Sequence, residues 1–475
     1  MSTNYAHLPA HTQLNALQQG VISSRGLLDL HLERIQASTL NAVVTLDIEG
    51  AQRAADASDG RRARGESVGA LDGLPLTIKD SFETAGLRTT CGAEDLHDHI
   101  PERDADAVAR LRHVGAVIMG KTNVPAYCQD LHTDNTIFGA TRNPHDHTRT
   151  PGGSSGGAAA AVAAALTPVE LGSDLAGSLR LPAHYCGVYA LRPTQGLVPA
   201  RGHIPRPPGW LTTSDMLTPG PLARHPRDLA LMLTALTTPV PDEHTPWRLS
   251  LPEPPRQLDD FRIAIWPSDP GCPVADATAA ALEHVTRQLG AAGAHITETP
   301  GPVSFGAASG LFEQLLYANA GLGATDAAFA AEQTSARQLP EGDTSPRATA
   351  LHYRTQTHRS WLIAHEERAQ QRAAWMAFFE HHDVLITPAA PTQAIPNGSR
   401  TLHVNGHERN FFDQTSWANL ISHLGLPAAI APVGKNDQGL PIAVQIIGAP
   451  YADRTVLALA DHLEAIVCAT ADIEG

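Results

Sequence analysis

The chain has 475 residues, of which 42% are hydrophobic and 17% charged, the composition of a globular protein rather than a disordered or fibrous one. Its 49 acidic residues against 34 lysines and arginines give a formal net charge of −15 at pH 7, which disfavours nucleic acid or an anionic membrane as a partner. A prior of ~150 residues per domain suggests about three domains, but a large α/β enzyme can spend the same length on one continuous sheet.

The N-terminal MSTNYAHLPAHTQLNAL has no basic segment followed by an apolar one, so no secretory signal is predicted. No apolar run nears the ~20 residues of a membrane span, and a cytoplasmic location is expected. Cysteines 91, 128, 186, 272 and 468 are scattered and odd in number, which suits a reducing compartment; each is expected to be a small buried apolar residue. From Leu14 to Leu71, residues such as Leu27, Leu30, Leu32, Ile35, Ala51, Ala54 and Ala55 recur at helical intervals, predicting a packing layer over 1–65. In LDGLPLTIKDSF, residues 71–82, a short strand leads into Lys79. Taken alone, that lysine is either a side chain reaching back to solvent or a buried amine whose ammonium form is disfavoured.

Residues 104–126 predict helix, strand and loop. Gly115 to Thr122 satisfies the phosphate-loop expression GxxxxGK[ST], but Ala116–Met119 is itself the expected strand and Pro125 follows closely, so nucleotide binding is rejected. The histidines of 97–99, 145–147 and 381–382 have no metal-site spacing around them and are expected to be solvated. The run Pro151-Gly152-Gly153-Ser154-Ser155-Gly156-Gly157 then predicts a special loop, followed by a buried helix over Ala158–Leu166, a strand over Val169–Gly172 and a second turn over Ser173–Ser178. Two hydroxyl-bearing turns beside free N–H donors read either as turn chemistry or as acyl chemistry. Beyond them lie an amphipathic helix from Pro226, an exposed Pro- and acid-rich connection at 238–260, a strand at FRIAIWP and a helix over Asp276–Leu289. Residues 303–382 predict helices with a polar break around 333–347 and a second helix through 357–379, before C-terminal strands and a closing helix. Alternating strands and helices predict an α/β fold, with 66–237 and 261–475 as the two halves of one domain.

The wording of these segments is specific. PGGSSGG followed by GSDLAGSLRLPAHYCGV, with Ser154 and Ser178 24 positions apart (154 to 178), resembles the signature of the amidase signature family, and LDGLPLTIKDSF is similar to its lysine segment. The resemblance runs over about residues 20–465 and is loosest over 303–382, which would border the substrate entrance. It implies a large mixed twisted sheet covered by helices on both faces, and a Ser-cisSer-Lys triad. In that triad Ser178 would be the nucleophile, Ser154 on a cis peptide bond the proton relay, and Lys79 the base. Backbone N–H groups of Leu175, Ala176, Gly177 and Ser178 would form the oxyanion hole, while Ser155, Ser173, Asp174 and Arg180 would support the turn. Tyr127, Cys128, Gln129 and Trp417 would line the substrate. Ala176 stands where the family usually has Gly, which would strain a left-handed position, so negative φ is expected there; Ser173 stands where Thr is commonest.

By the same resemblance the activity would be an amidohydrolase acting on a small-molecule amide through a seryl acyl-enzyme, with no metal and no other cofactor, and a homodimer is admitted. An amide-forming acyltransferase would use identical residues. A glutaminase-type subunit of a tRNA-dependent amidotransferase would need partner chains and an arginine-rich segment that 330–380 does not display. A dead scaffold is disfavoured by the presence of Lys79, Ser154 and Ser178.

Overall fold

Residues 4–238, 249–320, 322 and 324–474 are described in a computed structural model of the chain. Their strands are β1 (Val43–Leu46), β2 (Pro75–Lys79), β3 (Val117–Thr122), β4 (Val169–Asp174), β5 (Tyr189–Arg192), β6 (Thr218–Ala223), β7 (Arg262–Ile265), β8 (His295–Glu298), β9 (Val384–Pro388), β10 (Thr401–Val404), β11 (His407–Asn410), β12 (Ala428–Lys435) and β13 (Pro441–Gly448). Eleven of them form one mixed sheet in the order β1-β3-β2-β4-β6-β5-β12-β13-β9-β7-β8, and β10 and β11 make a separate hairpin. The middle of the sheet is antiparallel, while β2 runs parallel to both β3 and β4. That parallel trio is the site's frame, because it sets the end of β2 beside the end of β4.

The side-chain period of two gives this sheet two buried faces. In β7, Ile263 and Ile265 join a core with Leu282, Val285 and Leu289 of the helix Asp276–Ala291, whereas Ala264 between them joins Trp375 and Trp417. In β3, Ile118 packs with Val108 and Leu111, and Val117 and Met119 pack against Ala158–Val162. Helices therefore cover both sides, an α/β/α arrangement as expected.

The helix after the Gly/Ser loop spans Gly156–Ala163 and is buried almost all round, which its run of small residues permits. It starts two residues before the predicted Ala158 and stops before Leu166, because Gly156 and Gly157 already belong to its first turn and Ala165 turns left-handed at φ 54°. A Cβ on Gly157 would sit 2.4 Å from the backbone nitrogen of Asn123 and 2.5 Å from its oxygen. Gly157→Ala is thus expected to cost about 1–3 kcal/mol, read as a lower urea midpoint at unchanged slope.

The N-terminal layer contains the helices Ala10–Gln18, Ser24–Ala37 and Ile48–Ala63, but also β1, a four-residue edge strand that helical periodicity had absorbed. The helix from Pro226 runs to Thr237, and the 303–382 stretch resolves into Phe305–Ala320, Asp326–Arg337, Pro346–Arg354 and His358–His381. The polar break is narrower than predicted, since Asp326–Arg337 extends into it. Of the predicted connection 238–260, residues 239–248 lie outside the described residues; 249–260 is mostly exposed or half-buried, although Leu251 is buried.

Candidate active site

Lys79 is the last residue of β2 and has no solvent exposure. The strand cannot return its amine to water, so the amine finds hydroxyls: Nζ donates to Ser154 Oγ at 2.7 Å and to Ser173 Oγ at 2.9 Å. Burial disfavours the ammonium and pushes the lysine below its ordinary value, against the opposing pull of Cys128, Cys91 and Asp174. Ser154 follows a cis peptide bond from Gly153. The two serine-bearing turns meet through Ser155, whose N–H donates to the Ser178 carbonyl at 3.1 Å and whose hydroxyl donates to the Ser173 carbonyl at 3.1 Å. Ser178 itself is only half-buried, and among the described residues no hydrogen bond joins its Oγ to Ser154.

The turn bearing Ser178 is pinned by a buried ion pair. Asp174 closes β4, and its carboxylate takes Arg180 Nε at 2.9 Å and Nη2 at 2.8 Å, with Arg192 Nε at 3.5 Å. Burial alone would raise this carboxyl, yet Arg180, Arg192 and the Gly177 N–H together hold it well below the carboxylate range. Removing one partner of a buried pair strands the other, so Asp174→Asn is expected to cost about 3–5 kcal/mol, measured by urea unfolding. The same carboxylate changes the expected oxyanion set, because the N–H of Gly177 donates to Asp174 Oδ1 at 3.0 Å. Gly177 also takes the left-handed position of the turn (φ 95°), whereas Ala176 does not have positive φ.

The expected substrate wall is only partly assembled here. Trp417 is fully buried; its Nε1 donates to Cys272 O at 3.1 Å and its ring packs edge-on against Trp266 and Phe305. It is core, placed there by the apolar cluster under β9 and β13, and a Cβ on Gly177 would meet its neighbours Thr415 and Ala418. Tyr127 turns its hydroxyl outward to Asp95, and Gln129 is exposed. Cys128 alone of the three reaches the centre, where its thiol interacts with Lys79, Ser154 and Ser81. It is half-buried and therefore departs from the buried apolar role expected of the cysteines.

Sequence reasoning missed His203, whose Nε2 lies 2.8 Å from Ser173 Oγ and 2.9 Å from Ser81 Oγ. Burial keeps its imidazole well below the ordinary range, and so neutral. The lysine of the phosphate-loop lookalike, Lys121, is likewise enclosed. It sits within β3 and donates to Thr84 and Thr89 hydroxyls at 3.0 and 2.9 Å, holding the loop after β2 rather than a nucleotide. Among the described residues no cluster of three or more His, Cys, Asp or Glu could hold a metal ion, and no helix is long and apolar enough to cross a membrane.

Proteins of known kind share this fold and much of this sequence. The profile of the family described as Amidase matches residues 27–457. The indoleacetamide hydrolase of Bradyrhizobium diazoefficiens is 31% identical over 452 residues, 94% of this chain and 84% of the relative. A glutamyl-tRNA(Gln) amidotransferase component from Synechococcus sp. (strain CC9902) is 33% identical, covering 94% of each chain. A solved amidase structure superposes with a TM-score of 0.80 at 28% identity, covering 96% of this chain and 98% of the other. The chain belongs to the Amidase family, and with it to the amide-hydrolysing enzymes.

Proposed function

We propose that this enzyme is a Ser-cisSer-Lys amidohydrolase in which the two halves of the chain, 66–237 and 261–475, act as one domain around a small-molecule amide. Ser178 Oγ attacks the amide carbonyl while its proton passes through Ser154 to Lys79. The backbone N–H groups of Leu175, Ala176 and Ser178 receive the developing oxyanion, and Gly177 spends its N–H on Asp174 to keep the turn in shape. The relay then returns a proton to the departing ammonia or amine, and water, activated by the same groups, releases the acid. The observation that carries this reading is the 2.7 Å contact between a fully buried Lys79 and Ser154, because a relay to lysine needs a short path and an amine that burial drives toward neutrality. Asp174 and Arg180 fix the turn, and Ser155 and Ser173 lock the two serine loops together.

A second reading, a glutaminase-type component that works with partner chains, is favoured by the 33% identity to the Synechococcus protein. Against it, guanidinium groups of the 330–380 stretch are engaged within the fold: Arg354 pairs with Glu332 at 2.8 Å and Arg368 with Asp215 at 2.6 Å. An acyltransferase would share every catalytic group and differ in its acceptor. Ammonia release from a panel of primary amides, with and without hydroxylamine and with Ser178→Ala as control, separates these readings. Ser178-dependent ammonia together with free acid is the expected result. Hydroxamate without free acid would mark acyl transfer, release from glutamine only in the presence of partner chains would mark the glutaminase, and ammonia independent of Ser178 would overturn the mechanism.

A further inference from the structure

Two cysteines meet at the edge of the lysine's chamber although 37 residues separate them: Cys91 Sγ lies 3.7 Å from Cys128 Sγ. Their backbones are already tied, since the N–H of Tyr127 donates to the Cys91 carbonyl at 2.8 Å. A Cβ on Gly92 would meet the Val124 carbonyl oxygen at 2.7 Å, so the two segments are in close contact along their length. Both cysteines adopt left-handed backbone, φ 49° and 60°. The pair is asymmetric. Cys128 is half-buried as a residue, whereas Cys91 is fully buried. The hydrogen bond with Cys91 lowers the Cys128 thiol against the opposing effect of its own burial, with smaller help from Lys79, Ser154 and Ser81, while burial pushes the Cys91 thiol up. A thiolate with a second thiol 3.7 Å away is the arrangement that makes oxidation reversible.

We propose that Cys91 and Cys128 form a reversible disulfide site, with a peroxide as the oxidant. The Cys128 thiolate attacks one peroxide oxygen, the O–O bond breaks, and hydroxide leaves a sulfenic acid on Cys128. The Cys91 sulfur then attacks the Cys128 sulfur, the S–O bond breaks, water leaves, and the S–S bond forms. Two thiols lose two electrons and one hydrogen peroxide becomes two waters. Closing a 3.7 Å gap to the ~2.05 Å of a disulfide asks for a shift that side-chain rotation and small loop movement can share. The chemical consequence lies in what the bond prevents. Without Cys91, further oxidation would leave a sulfinate on Cys128, a permanent anion beside Lys79 that would hold its ammonium and disable it as a base.

The test is peptide mapping of the intact enzyme after stoichiometric hydrogen peroxide, then after dithiothreitol. The expected product is a cross-linked peptide pair containing Cys91 and Cys128, 2 Da lighter than the two free peptides together, that dithiothreitol restores. Sulfinic acid on Cys128 of the wild-type enzyme with no such cross-link would overturn the proposal, as would a disulfide joining Cys128 to another cysteine. Because Cys91 faces the Lys79 amine, Cys91→Ala is compared with its own activity before treatment. After at least two equivalents of peroxide, given to both proteins, it should gain 32 Da on Cys128 and recover less than a tenth of its activity with dithiothreitol, against full recovery in the wild type. The activity arm rests on the proposed role of Lys79, whereas the mapping arm does not; a cross-link with unchanged recovery in Cys91→Ala would retain the disulfide and strike at the lysine instead.

Discussion

Ser178→Ala is expected to lower amide turnover by ~10⁶-fold, to the residual rate that oxyanion donors and substrate binding alone can give. The size follows from the side chain's position. Ser178 is half-buried at the tip of a turn whose shape is set by Asp174, Arg180 and Gly177, so deleting one hydroxyl removes no hydrogen bond that the fold uses. The variant should therefore melt within a degree or two of the wild type, and its loss can be assigned to chemistry. A fluorophosphonate should label the wild type at Ser178 with a single mass addition. Labelling that persists in Ser178→Ala, or turnover within a hundredfold of wild type, would remove Ser178 from the nucleophile's place. A smaller companion effect is expected of Ser154→Ala. Its hydroxyl accepts from Lys79 Nζ, so its loss should slow acylation while leaving the label able to react at Ser178, only more slowly.

What could be read from the sequence was what is written locally. The Gly/Ser loop, the strand into Lys79 and the turn ending at Ser178 are contiguous words, each with its own chemistry, and the sheet order brings them together by placing β2 between β3 and β4. Contacts made by distant segments carried no such signature. His203 follows β5 in a loop whose residues have no periodicity, and only the folded chain sets its imidazole against Ser173 and Ser81. Cys91 and Cys128 looked like isolated small residues for the same reason. Trp417 was open between ligand wall and core, because an aromatic residue near a C-terminal strand suits both; in the folded chain its ring packs against Trp266 and Phe305. Gly177 was placed correctly in the turn, but the destination of its N–H depended on a carboxylate three residues upstream, held in position by arginines on a later helix and strand. The edge strand β1 escaped because four residues between two helices offer too short a run for a period of two to stand out.

Lys79→Met should reduce turnover by ~10⁴-fold and, unlike a structural loss, should alter how both activity and stability depend on pH. In the wild type the amine must be neutral to accept the relayed proton, so turnover rises as pH increases through the folded-state pKa and then levels off. Burial sets that pKa below the ordinary lysine value; Cys128, Cys91 and Asp174 face the amine and act in the opposite direction, while the neutral His203 reaches it through Ser173. In Lys79→Met the rising limb that belongs to the lysine disappears. The stability effect has the opposite sign. Because the folded-state pKa lies below the unfolded one, the unfolded chain holds the proton through the window between them, and wild-type stability increases with pH across that window and is lowest below it. Methionine of similar length has no charge to desolvate, so the variant should be more stable than wild type near neutral pH and lose that advantage in alkaline solution. A catalytic amine buried for its basicity predicts this pairing of lower activity with higher stability. A lysine kept only to bind Ser154 and Ser173 predicts lower stability at every pH, and urea unfolding of the two proteins at neutral and alkaline pH distinguishes the cases.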